Sequence, residues 1–568
     1  MKLELDDSRR LTGKGLLWDH PGAIMDVMVD GIDKQIVVDC WQKHITQLLA
    51  LVGWSSEQTT YRIFEDGISL AISAPFDALY AATEINESAW TLTVDELTGH
   101  LEGIDQDRVE QLREMIADEV NPNLLKLIEL AEANNVPWLT DDDEFSLGFG
   151  ATAQVWEVDC LPDADSVEWQ KYQSVPVAMI TGTNGKSTSV RLSSQIFAEA
   201  EMCCGVTSTD FIRVGDDIID RGDYSGPGGA RMLLRDNRLE VGLLEVARGG
   251  ILRRGLPIPT VDAALITNIA EDHLGQYGIN TIEGLTATKF VVSKAVSEQG
   301  TLVLNADDKE LVRYSKQIDK RKCWFALNER NDVLVAHRAN NGTNCFVRDG
   351  MMVYQYFDQS GKMFEDEIVA VNDVPMTFHG AASHNVQNAL GAIGLAKSLG
   401  AADEYIRSAL CSFRSDSQDN PGRGNVFDIN GAKVIMDFAH NEHSMKAMVS
   451  TVSNMSANSK WLLLSAAGDR SDEDIALMTE AAMAMAPDCM VAVELEQYLR
   501  GREAGEIPAL MEKVSQNYSF KPLAFHVSQT PLDGVKLIVE QLEQGDLALL
   551  LVLSDRDKVV QWLNEFHG

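Results

Sequence analysis

The residues of this chain best suited to chemistry on phosphate lie in the segment 175–191, VPVAMITGTNGKSTSVR. An apolar run is followed by a small, glycine-bearing stretch and then by residues that can continue as a helix. Gly182 and Gly185 would allow a tight turn whose N–H groups approach phosphate oxygens at a helix N-terminus. Lys186 would neutralise the outer phosphates, and Ser187 would offer its hydroxyl to Mg2+. We therefore predict a strand, a nucleotide phosphate loop and a helix.

This loop is shorter than the common phosphate-loop motif, which has a glycine five places before the second glycine. Ile180 occupies that place, so the pattern is G-x-x-G-K-S. A chance glycine turn before an ordinary helix is the weaker interpretation, because an apolar strand directly precedes the loop. The predicted ATP-binding residues of the segment are Thr181, Gly182, Thr183, Asn184, Gly185, Lys186, Ser187 and Thr188.

Two further residues follow apolar runs and could bind a metal ion. Glu245 ends a predicted strand, and a carboxylate there could hold Mg2+ because nucleotide sites gather at the carboxyl edge of parallel sheets. It could instead form an ion pair with Arg248 or Arg253. His273 follows another predicted strand, where a neutral imidazole could bind a second metal ion or be an ordinary hydrogen-bonded residue.

The loop sequence GTNGKST resembles that of the Mur ligase superfamily, whose members join a carboxylate to an amine with ATP. The stretches TSTDFIRVGDDIIDRGDYSGPGGARMLLRD and LEVARGGILRRGL resemble the Mur-type half of the cyanophycin synthetases. This resemblance implies that Ser187, Glu245, His273 and Lys289 hold Mg2+, with Lys289 carbamylated into a metal-bridging carboxylate. A plain surface lysine is the alternative for Lys289, since Lys294 lies close by.

The adenosine part of ATP has candidate ligands further along the chain. Asn385 and Asn388 lie three residues apart on a predicted helix, where their amides could contact an adenine edge, although Asn385 could also cap the helix. The resemblance implies that Arg423 reaches the nucleotide phosphates, that Asp437 binds the ribose and that His440 lies near the base. Without this resemblance, Asp437 and His440 would be interpreted as a hydrogen-bonded pair in a loop.

Two other polar segments have open interpretations. Residues 226–229, Gly-Pro-Gly-Gly, open a predicted helix and are either a plain turn or a ligand loop. Asp472, Glu473 and Asp474 follow a predicted strand and either bind a cationic amine substrate or stabilise a helix N-terminus.

The order of predicted elements indicates an α/β protein with three domains. We expect an α+β accessory domain over residues 1–172, a P-loop Mur-ligase central domain over 173–412 and a doubly wound, Rossmann-like C-terminal domain over 413–568. Residues 320–374 are predicted to form an antiparallel edge. The stretch 131–158 resembles the end of the first domain of the cyanophycin synthetases, but a short polar bridge follows here instead of their ATP-grasp domain.

The amino-acid composition limits the classes of molecule that this protein is expected to bind. The 48 Lys and Arg residues against 86 Asp and Glu residues give a formal charge of -38, which opposes binding to nucleic acid or to an anionic membrane. The eight cysteines have no C-x-x-C spacing and are expected to be reduced packing residues. No signal-peptide core is visible, so we expect a cytoplasmic protein, with a homo-oligomer left open.

The resemblance to the Mur ligases implies an ATP-dependent amide ligase that forms an acyl phosphate, ADP and phosphate. Its predicted catalytic residues are Lys186, Glu245, His273, Lys289 and Arg423. Its substrates would be a small-molecule or peptide carboxylate and an amino acid or other amine. Because the ATP-grasp domain is missing, we expect a single ligation, or a separate ATP-grasp partner that performs the other. The alternatives are a folylpolyglutamate- or peptidoglycan-type ligase and a non-catalytic, nucleotide-dependent peptide scaffold.

Overall fold

The computed structural model describes residues 1–100, 103–272, 274–416, 419–453 and 455–567. The chain is a mixed α/β protein with four sheets, which confirms the predicted fold class. Each sheet lies within one of the three predicted segments, whose boundaries stay a prediction. Within the described residues, no helix is both long and apolar enough to span a bilayer.

The N-terminal segment contains an antiparallel sheet of order β1-β2-β4-β3 and a small sheet of order β5-β6-β7. Trp41 of α1 is fully buried in the core between this helix, α2 and the larger sheet. The elements are β1 (Lys2–Leu11), β2 (Gly22–Asp30), α1 (Lys34–Val52), β3 (Thr59–Ile63), β4 (Gly67–Ser73), α2 (Leu79–Thr98), α3 (Gln106–Glu119), α4 (Pro122–Ala133), β5 (Trp138–Thr140), β6 (Glu144–Leu147) and β7 (Gln154–Glu157). Pro122 is the first residue of α4 and separates this helix from α3.

The central segment folds around an eleven-stranded sheet of order β11-β10-β9-β12-β8-β13-β14-β15-β16-β17-β18. The strands from β9 to β16 are parallel, and both edges are antiparallel. The strands are β8 (Val177–Thr181), β9 (Cys204–Thr207), β10 (Phe211–Val214), β11 (Asp217–Arg221), β12 (Val241–Glu245), β13 (Val261–Ile266), β14 (Val296–Asn305), β15 (Lys322–Ala326), β16 (Thr343–Arg348), β17 (Met351–Phe357) and β18 (Met363–Ala370). The helices are α5 (Lys186–Glu199), α6 (Pro227–Leu234), α7 (Arg248–Arg254), α8 (Ile282–Phe290), α9 (Lys309–Tyr314), α10 (Asp332–Ala339), α11 (Ser383–Ser398) and α12 (Asp403–Ser412).

The C-terminal segment is a doubly wound domain with a six-stranded sheet of order β19-β20-β24-β21-β22-β23. Only the β19–β20 hairpin is antiparallel among its described strand pairs. The elements are β19 (Asn425–Ile429), β20 (Ala432–Asp437), α13 (Glu442–Ser453), β21 (Lys460–Ser465), α14 (Asp472–Met483), β22 (Cys489–Val493), α15 (Glu506–Asn517), β23 (Ala524–Ser528), α16 (Pro531–Val539), β24 (Leu547–Leu551) and α17 (Arg556–His567).

The prediction of an antiparallel edge over residues 320–374 was partly wrong. β15 and β16 continue the parallel sheet, and helix α10 connects them. The side chain of Asn331 caps α10 by accepting a hydrogen bond from the Val333 N–H at 2.9 Å. This short helix has only one fully buried apolar residue, Leu334, so its apolar periodicity is weak.

Sheet register brings the predicted site residues to one edge. β8 lies between β12 and β13, with Glu245 beside Ile180 and Ile266 beside Thr181. The phosphate loop, the carboxylate of Glu245 and the segment after β13 therefore meet where three parallel strands end.

Candidate active site

The segment that follows β13 holds the phosphate loop in place. The Thr183 N–H donates to the Asn268 carbonyl at 2.9 Å, and the Asn184 N–H donates to Asn268 Oδ1 at 2.9 Å. The Asn268 amide donates back to the Asn184 carbonyl at 2.9 Å. A Cβ at Gly182 would lie 1.9 Å from Thr267 Oγ1, so only glycine fits this close approach.

Helix α5 begins at Lys186, directly after Gly185, whose φ of +85° lies in the left-handed region. A Cβ at Gly185 would also lie 2.3 Å from Asn388 Oδ1. The loop therefore needs this glycine both for its backbone conformation and for its contact with α11.

Glu245 has the chemistry of a metal ligand. Its side chain is 2% exposed, and neither carboxylate oxygen accepts a hydrogen bond from a described residue. Burial raises its pKa, and the charges of Lys186 and Arg423 oppose that rise. A buried carboxylate without partners is costly unless a cation completes it, so its surroundings fit Mg2+. The alternative ion pair with Arg248 or Arg253 is not formed among the described residues.

The Ser187 hydroxyl is also buried near this carboxylate. Its Oγ lies 3.5 Å from Thr209 Oγ1, and it is close enough to Glu245 to lower the pKa of that carboxyl, although the geometry is not that of a hydrogen bond. A hydroxyl oxygen and a carboxylate oxygen are both ligands that Mg2+ accepts.

Two lysine amines converge on the carbonyl of Gly182. Lys289 Nζ donates to it at 2.8 Å and Lys186 Nζ at 3.1 Å. Lys289 is only 4% exposed, so it is not a surface lysine. Burial and then the charge of Lys186 hold the pKa of Lys289 well below its usual range. A neutral amine is the form of lysine that reacts with CO2.

These groups face a cavity of about 420 Å3, which we call the central cavity. The predicted site residues that line it are Thr183, Asn184, Gly185, Lys186, Ser187, Thr188, Glu245, Lys289, Arg423 and His440. Thr181 and Gly182 do not line it: Thr181 is fully buried at the end of β8, and Gly182 contributes its carbonyl to the two lysines.

A smaller adjoining cavity of about 80 Å3, the side cavity, lies between α11 and the C-terminal domain. The predicted residues that line it are Asn184, Gly185, Thr188, Asn385, Asn388, Arg423, Asp437 and His440. The Asn385 amide donates to the Met376 carbonyl at 2.8 Å, and the Asn388 amide donates to Asn385 Oδ1 at 3.2 Å. Asn385 therefore does not cap α11, and both amides are positioned by protein contacts.

Arg423 lies at the boundary of the two cavities. Its guanidinium carbon is 4.6 Å from the centre of the Phe438 ring, and its buried Nε has no hydrogen-bond partner among the described residues. Asp437 follows in the side cavity, where burial raises its pKa to about 6 although the charge of Arg423 opposes the rise. Arg423 and Asp437 thus both line the side cavity, and backbone hydrogen bonds from Ala439 and Gly424 lower the pKa of Asp437 in part.

Asp272 of the central domain contacts His440 and Arg470 of the C-terminal domain. His440 Nε2 lies 3.8 Å from Asp272 Oδ2, and Arg470 Nη2 lies 3.1 Å from Asp272 Oδ1. The His440 Nδ1 lies 2.9 Å from the Phe438 carbonyl. His273, the predicted ligand of a second metal ion, lies outside the described residues.

Sequence reasoning missed the contacts that attach the C-terminal domain to the phosphate loop. Asn184 and Asn441 form a reciprocal amide pair, with N–O distances of 3.3 and 3.1 Å, and Asn184 Nδ2 lies 3.0 Å from His443 Nδ1. Each such hydrogen bond contributes roughly 0.5–1.5 kcal/mol. No local pattern in the sequence pairs residues 257 positions apart, so this contact had no sequence signal.

Asp210 forms a second bridge between these domains. One carboxylate oxygen pairs with Arg191 of α5, and the other accepts from Arg556 Nη2 of α17 at 2.7 Å. The guanidinium carbon of Arg556 also lies 4.6 Å from the Phe438 ring centre. The chain's last helix is thereby joined to the wall of the central cavity, which Arg556 lines.

Asp472, Glu473 and Asp474 lie in the first turn of α14, which supports the helix-stabilising interpretation of these acids. Asp474 and Ser471 form a reciprocal capping box. Asp472 pairs with Arg502 at 2.7 Å. None of the three lines the central cavity or the side cavity.

A second cluster of metal-ligating groups lies in the N-terminal domain. Ligand atoms of Cys40, His44 and Glu96 lie within 4.8 Å of one another. Lys43 contacts both oxygens of Glu96, at 2.6 and 2.8 Å, and His44 Nε2 contacts one at 2.7 Å. The carboxylate is thus already neutralised, and the cluster is an ion pair that joins α1 to α2.

Comparison with known proteins gives two family matches. Residues 180–396 match the Mur ligase middle domain, and residues 422–551 match the glutamate ligase domain of the Mur ligases. Escherichia coli FolC in complex with DHPP and ADP has the same fold over 69% of this chain and 89% of its own, with 18% identity and a TM-score of 0.52.

Cyanophycin synthetases are among the curated relatives. That of Geminocystis herdmanii is 34% identical over 401 residues, which are 69% of this chain and 44% of the relative. That of Crocosphaera subtropica is 35% identical over 337 residues, which are 59% of this chain and 38% of the relative. This chain therefore spans less than half the length of these relatives.

Proposed function

Residues 180–396 and 422–551 belong to the Mur ligase family, and on this premise we propose that the protein is an ATP-dependent amide ligase. A carboxylate oxygen of one substrate would attack the γ-phosphorus of ATP, which releases ADP and leaves an acyl phosphate. An amine would then attack the acyl carbon, and phosphate would leave as the amide forms. The observation that supports this function most strongly is the buried carboxylate of Glu245 beside the phosphate loop, whose oxygens have no hydrogen-bond partner among the described residues.

The chain's own groups match the needs of such a reaction. Phosphoryl transfer spreads negative charge over the transferred group, and Lys186 and Arg423 place two cationic side chains on the central cavity. Ser187 and Glu245 would hold Mg2+, which supplies further charge neutralisation when bound. The Asn184–Asn441 pair and the Asp210 bridge hold the C-terminal domain against this cavity, which limits access of water to a reactive acyl phosphate.

We propose that Lys289 is carbamylated and, together with His273, binds a second Mg2+. The supporting observations are the burial of its amine and the adjacent Lys186, which both disfavour the ammonium form. A carbamate would replace this neutral amine with an anion close to the charge of Lys186.

Carbamylation of Lys289 can be detected directly. Protein incubated with 13C-labelled bicarbonate is expected to show one protein carbamate signal by 13C NMR, and Lys289→Arg is expected to lose it because a guanidinium is not carbamylated. Lys294→Arg is the matched control, since Lys294 instead donates to the Gly15 carbonyl at 2.8 Å and pairs with Asp19. A signal that persists in Lys289→Arg would assign the carbamate elsewhere.

The proposed contact of Asp437 with the ribose predicts a pH dependence. Its folded-state pKa of about 6 lies above the ordinary value, so the carboxylate acceptor forms only as pH rises through about 6. Affinity for ATP, measured by calorimetry, should therefore strengthen between pH 5 and 7. Asp437→Asn should remove this part of the pH dependence, and Asp428→Asn, at an exposed position on β19, should keep it.

The same pKa shift has an opposite effect on the unliganded protein. Because the folded state holds the proton of Asp437 more tightly than the unfolded state, this group's stabilising contribution is present at low pH and lost as pH rises through about 6. Unchanged pH profiles of both affinity and stability in Asp437→Asn would contradict the assignment.

The proposed function is tested by supplying MgATP with mixtures of amino acids, short peptides and amines. Mass spectrometry should detect a product whose mass equals the two substrates minus one water, together with ADP and phosphate in equal amounts. A nucleotide-dependent scaffold would bind substrates without this product. Within the described residues, β7 is connected to β8 by a segment of fewer than twenty residues with three single-turn 3-10 helices, which leaves no room for an inserted domain, so we propose a single ligation per chain.

A further inference from the structure

A chain of polar side chains crosses the larger sheet of the N-terminal domain. Each of the four strands contributes one residue, in the spatial order of the strands. Arg9 of β1 pairs with Asp26 of β2 at 2.7 Å, and the Ser69 hydroxyl of β4 donates to Asp26 at 2.6 Å. Arg62 of β3 then donates to Ser69 Oγ at 3.2 Å. We call these four residues the polar chain.

Both ends of the polar chain donate to backbone carbonyls of the central domain. Arg9 donates to the Leu252 carbonyl of α7 at 3.2 Å. Arg62 donates to the Tyr277 carbonyl at 2.7 Å and to the Gly278 carbonyl at 2.8 Å. The polar chain therefore attaches two separate segments of the central domain to one sheet.

The partners of Arg62 distinguish it from an ordinary ion-pairing residue. In the part of the chain that the structure describes, its guanidinium contacts one hydroxyl and two carbonyls and pairs with no carboxylate. Burial lowers its pKa, and the charge of Asp26 opposes this shift. Removing a cation from water without a directly paired anion costs free energy. Arg62 instead directs its donors at the carbonyls of a single turn.

This turn, residues 275–279, has a backbone that needs support from its surroundings. Tyr277 has a φ of 53° and a ψ of 33°, in the left-handed region, which is unfavourable for an aromatic residue. A Cβ at Gly278 would lie 2.4 Å from the Phe64 ring, so the turn packs directly against the N-terminal domain. Such a conformation persists only where the surrounding contacts enforce it, and Arg62 and Phe64 supply these contacts.

The two attached segments meet again at the central cavity. Arg248 is the first residue of α7, and its Nη2 donates to Gln276 Oε1 of the turn at 2.6 Å. Both residues line the central cavity. In addition to burial, the charge of Arg248 lowers the pKa of Lys289, so this guanidinium lies near the proposed second metal site. Each member of the Arg248–Gln276 pair is thus held by a different end of the polar chain.

We propose that Arg62 is a positioning residue of the ligase, which fixes Gln276, and thereby Arg248, on the wall of the central cavity. Arg9 has the matching role toward α7. This inference rests on the proposed ligase function and adds a role for the N-terminal domain, which lies outside both family matches. A guanidinium held in one place can oppose the negative charge of phosphoryl transfer without reorganisation during each turnover.

Hydrogen exchange of the protein alone tests the attachment of the turn. In R62M the amide hydrogens of residues 275–279 should exchange at least about tenfold faster than in the wild type, because the carbonyl contacts are lost. Exchange in the phosphate loop and α5 should stay unchanged. The matched control is R113M, since Arg113 also donates twice to a carbonyl, that of Leu51, at 2.8 and 3.1 Å, within the N-terminal domain. R113M should leave exchange of the turn unchanged.

Kinetics test whether this attachment serves the reaction. With the mixture of amino acids, short peptides and amines used above, R62M should lower kcat for ADP formation at least about tenfold. The KM for ATP should stay within about twofold of the wild type, because the polar chain does not contact the phosphate loop within the described residues. R62K keeps a charged donor and should show an intermediate kcat, and R113M should keep the wild-type kcat.

A double-mutant cycle separates positioning from a general structural effect. Q276A should also lower kcat, and R62M/Q276A should lose no more than the weaker single variant, since both changes act on the same pair. Additive losses would overturn the inference, as would wild-type exchange of the turn or a wild-type kcat in R62M. Failure of the ligase proposal would look different, because the wild type would then form no ADP while the turn would still respond to R62M.

Discussion

Replacement of Lys186 by methionine is expected to reduce substrate-dependent ADP formation by at least about 100-fold, the scale seen when a charge-stabilising donor is removed from an active site. Lys186 is the cation of the phosphate loop and faces the central cavity at the start of α5. Burial lowers its pKa, while Glu245 and then Asp272 favour the ammonium form. Methionine keeps much of the side chain's volume and removes only its charge and donors.

The effect of Lys186→Met is measured as the initial rate of ADP formation at saturating MgATP. Lys316→Met is the control, because Lys316 is exposed and does not line the central cavity. A Lys186→Met rate within threefold of the wild type would exclude this lysine from phosphoryl transfer. It would also remove the basis of the proposed reaction.

Replacement of Glu245 by glutamine is expected to have two effects of opposite sign. ADP formation should fall by at least about 100-fold, because the amide is a weak ligand for Mg2+ and the compensating charge is lost. The unliganded protein should become more stable to heat near neutral pH. The reason is that glutamine removes a buried charge whose two oxygens have no hydrogen-bond partner among the described residues.

The pH dependence of this stabilisation follows from the raised pKa of Glu245. A carboxyl whose folded-state pKa is raised costs stability above its folded pKa and loses that cost as pH falls through it. The melting temperatures of Glu245→Gln and the wild type should therefore converge at lower pH. A lower melting temperature for the variant at neutral pH, with full activity, would contradict both roles.

Glu494 offers a matched control for this variant. It is also buried, at 5% exposure, but one of its oxygens accepts the Gly505 N–H at 2.6 Å, and it does not line the central cavity. Glu494→Gln should leave ADP formation unchanged and should lower stability, since a charge-assisted hydrogen bond is weakened. The contrast between the two buried glutamates separates metal binding from simple burial.

Short stretches of the sequence determined those parts of the protein that depend on interactions between neighbouring residues. The apolar run before Gly182, the glycines of the loop and the helix from Lys186 are short-range features, and each was found where predicted. The hairpin turn at Asn430 and Gly431 also has a local origin, because both residues have positive φ and an Asn-Gly pair favours this kind of turn. The strand that ends on Glu245 was also predictable from its apolar residues.

Only the tertiary structure decided which polar side chains are buried without partners and which distant residues meet. The sequence could not distinguish Lys289 from Lys294, but packing buries the first and binds the second to the N-terminal domain. The pairing of Asn184 with Asn441 has the same origin. Burial, pKa and long-range pairing depend on elements brought together from across the chain, and no local pattern of residues carries that information.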